Sequence, residues 1–327
     1  MRAAWYTKFG PAAEVLEIGV LPDPEPGPGE VRVKLAASGV NPSDVKSRLP
    51  GSRNTVYPRV IPHSDGAGTI DKVGEGVDPG RVGARVWVFN GQWKRADGTA
   101  ATHICLPAEF AVSLPANVGF DVGACLGIPA LTAWRAVTMA GGVARRTLLV
   151  TGAAGAVGHA AVQMARYAGA AKILATVSSP EKAAIARAAG ADATIDYKTE
   201  DVAARVKELT GGEGVDRIVE LDVAGNAKSI PEALKPGGML VVYGSNKPEF
   251  TLPFGPMIVK NLTAAFFIVY ELSPALRREG AAYVNSRLAM GQLETRIAAK
   301  FPLAEIAKAH EAVESGSAIG NVVLTLD

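Results

Sequence analysis

Residues Thr147 to Gly158 read TLLVTGAAGAVG, and no other stretch constrains the fold as strongly. A run of leucine and β-branched residues ends at Thr151. Gly152, Gly155 and Gly158 follow, and then AAVQMARYAG carries a helical pattern. Strand, glycine turn and helix N-terminus in that order suit a dinucleotide pyrophosphate. Gly152 permits the tight turn. Gly155 lets the backbone approach phosphates with no Cβ in the way. Gly158 lets the helix sit close on the strand. The unpaired N–H groups of the first helical turn then face an anion. The spacing is GxxGxxG rather than GxGxxG, and a glycine triad alone also fits a tight turn in another α/β domain. Lys172 to Val177 (KILATV) decides between them, because it supplies a second apolar strand at the separation a βαβ unit requires.

The chain has 327 residues, enough for two domains with adequate cores. Residues 1 to about 120 read as short antiparallel strands: 31–40, 67–74, 84–89, 101–107 and 110–115. Turn-formers such as PDPEPGPGE separate them, as in a barrel-like core. From Gly123 the pattern changes. A helix is expected over 125–140, followed by alternating strands and helices. The strands fall at 172–177, 193–197, 215–222, 237–244 and 261–269; the helices at 180–190, 201–210 and 226–234. That alternation predicts a doubly wound parallel sheet. A further helix covers 274–293, and the tail ends in a strand able to return to the first domain. The expected division is 1–122 completed by about 295–327, and 123–294 for the nucleotide domain.

Thirty-four Lys and Arg balance thirty-two Asp and Glu, so no basic bias implies nucleic acid. Cys105 and Cys125 suggest no disulfide framework. The N-terminus lacks a signal-peptide pattern and no apolar run is long enough to span a bilayer, so a cytoplasmic setting is expected. The four histidines make no HxxxH or HExxH pair, and there is no CxxC or GxSxG. His159 reads as a helix-surface residue and His310 as part of an amphipathic stretch. The chemistry therefore falls to the cofactor.

Which cofactor is read at the end of the second strand. An NAD site usually places Asp or Glu there for the adenosine ribose. This chain has Val177-Ser178-Ser179, with Lys182 on the next helix and Tyr197 after the third strand. No acid repels a 2′-phosphate, and NADP(H) is favoured. Ser179-Pro180-Glu181 is also a helix start, which is compatible with phosphate binding.

ASGVNPSD (37–44), PHSDGAGTIDKVGEGV (62–77), GARV (83–86), GIPALTAWRAV (127–137), VTGAAGAVG (150–158), VVYGS (241–245) and SGSAIGNVVL (315–324) together resemble one family. It is the zinc-free quinone oxidoreductase branch, zeta-crystallin-like, of the medium-chain dehydrogenase/reductase superfamily. The resemblance covers essentially the whole chain. It implies an α/β protein with a GroES-like β-barrel catalytic domain, a Rossmann nucleotide domain and an NADPH cleft between them. Asn41 and Thr132 match residues that line the nicotinamide end. Ala154, Gly155, Ala156, Val157 and Gly158 match the pyrophosphate loop. Ser178, Lys182 and Tyr197 match the 2′-phosphate site. Gly244, Ser245, Phe266 and Phe267 match strand ends that hold the nicotinamide ribose and ring. Lys46 stands where many relatives have a tyrosine in the cleft, and Asn321 where several have a basic residue near the phosphates. Asn41, Ser64 and Gly127 occupy the positions of the zinc ligands in the alcohol dehydrogenases of the superfamily, so no metal is expected. The implied reaction is NADPH-dependent reduction of quinones or related enones by a homodimer or tetramer. A 2-alkenal or enoyl-thioester reductase on the same fold, and an RNA-binding or structural crystallin-like role, are the competing readings.

Overall fold

The computed structural model describes residues 1–52 and 57–326, so positions 53–56 and 327 of the expected first domain lie outside it. The chain divides into two compact units, Met1–Pro129 with Ala281–Asp327, and Ala130–Gly280.

The first unit opens with an antiparallel pair, β1 (Arg2–Trp5) and β2 (Glu17–Val20). Its main sheet contains β3 (Glu30–Val40), β4 (Asp65–Val73), β5 (Arg85–Val88), β6 (His103–Pro107) and β7 (Ala111–Ser113). Alternate residues of these strands, such as Val31, Val33, Leu35, Ile70, Val86 and Leu106, form the core. The other unit intervenes as β8 (Thr147–Val150), β9 (Lys172–Val177), β10 (Ala193–Asp196), β11 (Val215–Glu220), β12 (Leu234–Val242) and β13 (Thr263–Phe266). The chain then returns through β14 (Ile297–Pro302) and β15 (Asn321–Thr325). β15 pairs antiparallel with β3. The path through the first sheet is β14-β15-β3-β4-β5-β7, with β6 also on β3.

The second unit is a six-stranded parallel sheet in the order β10-β9-β8-β11-β12-β13. The order reverses between β8 and β11, and ligands of such sheets bind beyond the strand ends at that switch point. Near-continuous apolar strands (TLLV, KILATV) follow from burial on both faces. Arg217 on β11 is an exception. Fully buried, it donates to the carbonyls of Ala136 (3.2 Å), Val137 (3.1 Å) and Met139 (2.8 Å). It thereby satisfies the C-terminal carbonyls of the helix Leu131–Thr138, which would otherwise be buried without partners.

Three expected elements differ. The helix read over 125–140 begins with a π turn, Leu126–Ala130, because Pro129 has no N–H to continue an α ladder. The helix expected over 226–234 is a turn at Val223–Asn226 and a short helix Ile230–Ala233, begun afresh with Pro231 in its first turn. The strand expected over 261–269 pairs only from Thr263 to Phe266 before a turn at Val269–Glu271. His159 is also not a surface residue. It is 6% exposed, and its Nδ1 accepts from the Gln163 amide at 3.0 Å, one helical turn on.

Candidate functional site

In the nucleotide unit the glycine loop joins β8 to the helix Ala156–Tyr167. Gly152 has φ +63°, a left-handed conformation that a side chain resists. A Cβ on Gly158 would lie 2.3 Å from the Gly152 carbonyl oxygen and 2.8 Å from Ala153 Cα, so helix and loop touch backbone to backbone. Gly155 is the helix N-cap, and a Cβ there would have one neighbour, the Gly152 oxygen at 3.3 Å. The Gly152 N–H donates to Thr176 Oγ1 at 3.0 Å and the Ala153 N–H to the Thr176 carbonyl at 3.1 Å, which anchors the loop on β9. Ala154, Ala156 and Val157 complete the loop and the first turn of the helix.

At the end of β9, Lys182 Nζ donates to Ser178 Oγ at 3.0 Å, and Ser179 caps the helix Pro180–Ala188 by accepting from the Lys182 N–H at 3.2 Å. Tyr197, 52% exposed, follows β10. A cavity of about 170 Å³ opens beside these strand ends. Leu149, Val202, Ile218 and Ile230 give it apolar walls, and Thr151 and Tyr197 add hydroxyls. Glu220 and Asp222 also line it. Glu220 accepts from the Asp222 N–H (2.6 Å) and the Asn226 amide (2.9 Å), while burial pushes its carboxyl above the usual range. Neither acid stands out in the sequence, because acids at the end of an apolar strand are a weak signal until the sheet order puts them at the switch point. Gly244 backs onto the same turn, where a Cβ would meet the Leu221 carbonyl oxygen at 2.2 Å. Ser245 hydrogen-bonds the Lys247 carbonyl at 2.7 Å. Phe266 ends β13, 56% exposed, with Phe267 next to it. Thr132 is buried on the helix Leu131–Thr138.

The remaining candidates belong to the other unit. Asn41 caps the helix Pro42–Ser47, and its N–H donates to Asp44 at 2.8 Å. Its side-chain amide donates to Asp65 Oδ2 at 2.9 Å. Lys46 is exposed on that helix. Asn321 opens β15, where its amide donates to the Arg296 carbonyl at 2.9 Å, a tie within the sheet. Asp65 is fully buried at the start of β4. A lone Asp before Gly reads as a turn former; its partners come from Asn41 and Ile128, distant in sequence.

Below Asp65 runs a buried chain. Thr99 donates to the Asp65 carbonyl at 2.6 Å, Ser38 and Thr99 hydroxyls lie 2.8 Å apart, and Ser38 is 2.9 Å from His63 Nδ1. His63 Nε2 is 2.9 Å from His310 Nε2. Each hydroxyl has one proton, so the chain has a direction: His63 Nδ1–H donates to Ser38, and His310 Nε2–H donates to His63. His310 Nδ1 is then a lone pair without a partner. Burial, with the Arg48 guanidinium nearby, pushes His310 down to about 3, and burial holds His63 well below 6.5. Arg48 is itself paired with Glu314.

A pH dependence follows. The unfolded chain takes up a proton on residue 310 below about pH 6.5, whereas the folded chain resists it down to about 3, so stability falls as pH falls. Buried Asp65 and Glu220 act in the opposite sense, but equally in a variant that changes only residue 310. Between pH 7 and pH 5 the unmutated protein is expected to lose about 2 kcal/mol more than His310→Gln. Denaturant titrations at both pH values measure this, and parallel losses would refute it.

Comparison with known proteins now gives the family. Residues 156–284 match the zinc-binding dehydrogenase family model, and residues 27–116 the alcohol dehydrogenase GroES-like domain. Human quinone oxidoreductase is 31% identical over 332 residues, spanning 100% of this chain and 98% of its own. The chain belongs to the quinone oxidoreductases of the medium-chain dehydrogenase/reductase superfamily. Among solved structures, an NAD-dependent alcohol dehydrogenase has TM-score 0.91 at 30% identity, covering 100% of both chains. Escherichia coli quinone oxidoreductase complexed with NADPH has TM-score 0.86 at 27% identity, again covering 100% of both. Like the rest of that family, the chain is an oxidoreductase built on a GroES-like unit and a Rossmann unit.

The zinc in the family model's description does not fit the residues here. The Asn41 amide is engaged by Asp65, Ser64 is a buried hydroxyl, and Gly127 has no side chain. Neutral amide and hydroxyl groups are poor zinc ligands. Among the described residues, no three His, Cys, Asp or Glu side chains are grouped to hold a metal.

Proposed function

We propose that the chain is an NADPH-dependent reductase that passes hydride to quinones or related conjugated carbonyls without zinc. The observation that carries this is the end of β9, where Ser178 and Lys182 stand hydrogen-bonded in place of the ribose-binding acid. The bound nicotinamide supplies the hydride. The chain's residues bind and orient. The Gly152–Gly158 loop presents N–H groups to the pyrophosphate, and Lys182, Ser178 and Tyr197 take the 2′-phosphate. The cavity beside Tyr197 takes the adenine. Asn41, Thr132, Gly244, Ser245, Phe266 and Phe267 serve the nicotinamide end. With no metal to polarise a carbonyl, the fitting acceptor already delocalises the charge that hydride addition creates.

The test is NADPH oxidation across quinones, enones and enoyl thioesters, before and after exhaustive chelation. Turnover of quinones that survives chelation is expected. Turnover restricted to enoyl thioesters, or lost on chelation and restored by zinc, would overturn the reading. Lys182→Ala should weaken NADPH by about tenfold or more, the worth of one charge-assisted contact, and leave NADH nearly unchanged. Equal affinity of the unmutated protein for both cofactors, measured by fluorescence titration, would sink the NADP assignment.

A further inference from the structure

Three segments of the GroES-like unit meet at one carboxylate oxygen. Asp65 Oδ2, at the start of β4, accepts from the Asn41 amide at 2.9 Å, at the end of β3. It also accepts from the Ile128 N–H at 2.8 Å, in the π turn. Asp65 and Asn41 are buried, at 0% and 6% exposure. The second oxygen, Oδ1, has no hydrogen-bond partner. It lies against Gly127 instead. A Cβ at 127 would be 2.1 Å from Oδ1 and 2.9 Å from Phe89 Cβ. The main chain of Asp65 is pinned by Thr99 at 2.6 Å, so the carboxylate cannot simply retreat.

By the family resemblance of their motifs, Asn41 and Gly127 match two of the positions where metal ligands stand in zinc-dependent relatives. We propose that Asp65 is the positioning residue of this site, fixing Asn41 and the 126–130 turn by its carboxylate and making glycine obligatory at 127. The Asn41 backbone N–H is taken by Asp44 and one amide hydrogen by Asp65. One amide N–H remains, and the Asp65 contact fixes its direction. Donated to the acceptor's carbonyl oxygen, it stabilises the charge that hydride addition places there. This step rests on the reductase reading above.

Asp65→Ala should lower kcat by about 30-fold or more, as expected for a donor left free to turn, while the NADPH dissociation constant stays within about twofold. Asp65→Asn keeps an oxygen at the Oδ2 position and should restore kcat to within about threefold of the unmutated protein. Gly127→Ala should displace the carboxylate and lower both kcat and melting temperature. Adding Asp65→Ala to it should recover the melting temperature and leave kcat low. An unmutated kcat in folded Asp65→Ala, equal losses in the Asn and Ala variants, or a Gly127→Ala protein unchanged in both measures would each overturn the proposal. If Asp65→Ala fails to fold, the comparison of Asp65→Asn with Gly127→Ala decides alone. Crystal structures read the idea without turnover. The Asn41 amide should rotate in Asp65→Ala, and an unmoved amide would refute it. Failure of the unmutated protein to oxidise NADPH with any acceptor would instead count against the reductase reading.

Discussion

Gly158→Ala is expected to raise the NADPH dissociation constant at least about 100-fold and to lower the melting temperature by about 5 °C. The new Cβ would stand 2.3 Å from the Gly152 carbonyl oxygen and 2.8 Å from Ala153 Cα. Both are backbone atoms, so no side chain can swing aside. The helix Ala156–Tyr167 must lift from β8, or the loop must leave its bonds to Thr176. Either movement spoils the alignment of the N–H groups at the helix start, which is what binds an anion. Gly155→Ala separates the two effects. Its Cβ meets one atom, at 3.3 Å, and its φ of −76° suits alanine. That variant should melt within about 2 °C of the unmutated protein and still bind NADPH poorly, because the methyl projects where phosphate approaches. Titration by fluorescence and thermal melts measure both. A Gly158→Ala protein with unmutated affinity would show that the loop is not the pyrophosphate site.

The second large effect concerns assembly, and we propose a homodimer or a dimer-based tetramer formed through β13. This strand ends the parallel sheet and pairs only with β12 among the described strands. An unpaired parallel edge exposes a row of N–H and C=O groups that a second copy can complete about a two-fold axis. The surroundings are apolar. Phe266 is 56% exposed, Ile268 47%, Ile258 56% and Val259 81%. Phe250, from the loop before β13, lies 6.1 Å from the Phe266 ring, so that loop packs on the strand while these residues stay exposed. Light scattering at micromolar concentration should give a mass near twice 33.8 kDa or a multiple of it. Ala265→Glu places a charge on the edge and should yield monomers with an unchanged circular dichroism spectrum. A single-chain mass for the unmutated protein would reject the dimer, and an intact Ala265→Glu dimer would move the interface elsewhere.

Local pattern makes much of this protein legible in its sequence. KILATV is a strand over its full length, 172–177, because a parallel strand buried on both faces must be continuously apolar. The glycine roles at 152 and 158 followed from backbone geometry that only glycine permits, and Ser179-Pro180 announced a helix start that the Lys182 N–H then satisfies. These are short-range rules, written within a few residues of where they act. What tertiary structure alone decided lies at long sequence separation. Asp65 matters because folding brings Asn41 and Ile128 to one of its oxygens, 24 and 63 residues away. His63 and His310 share a buried contact across 247 residues, although each alone reads as unremarkable. Arg217 sits in an apolar strand and finds its acceptors 78 to 81 residues earlier. A buried polar group is stable only when its partners are present, and composition and periodicity carry no record of which distant residue becomes the partner. The sequence by itself determined the two-part fold and the glycine loop between β8 and its helix, whereas the polar networks beneath Asn41 exist only in the packed structure.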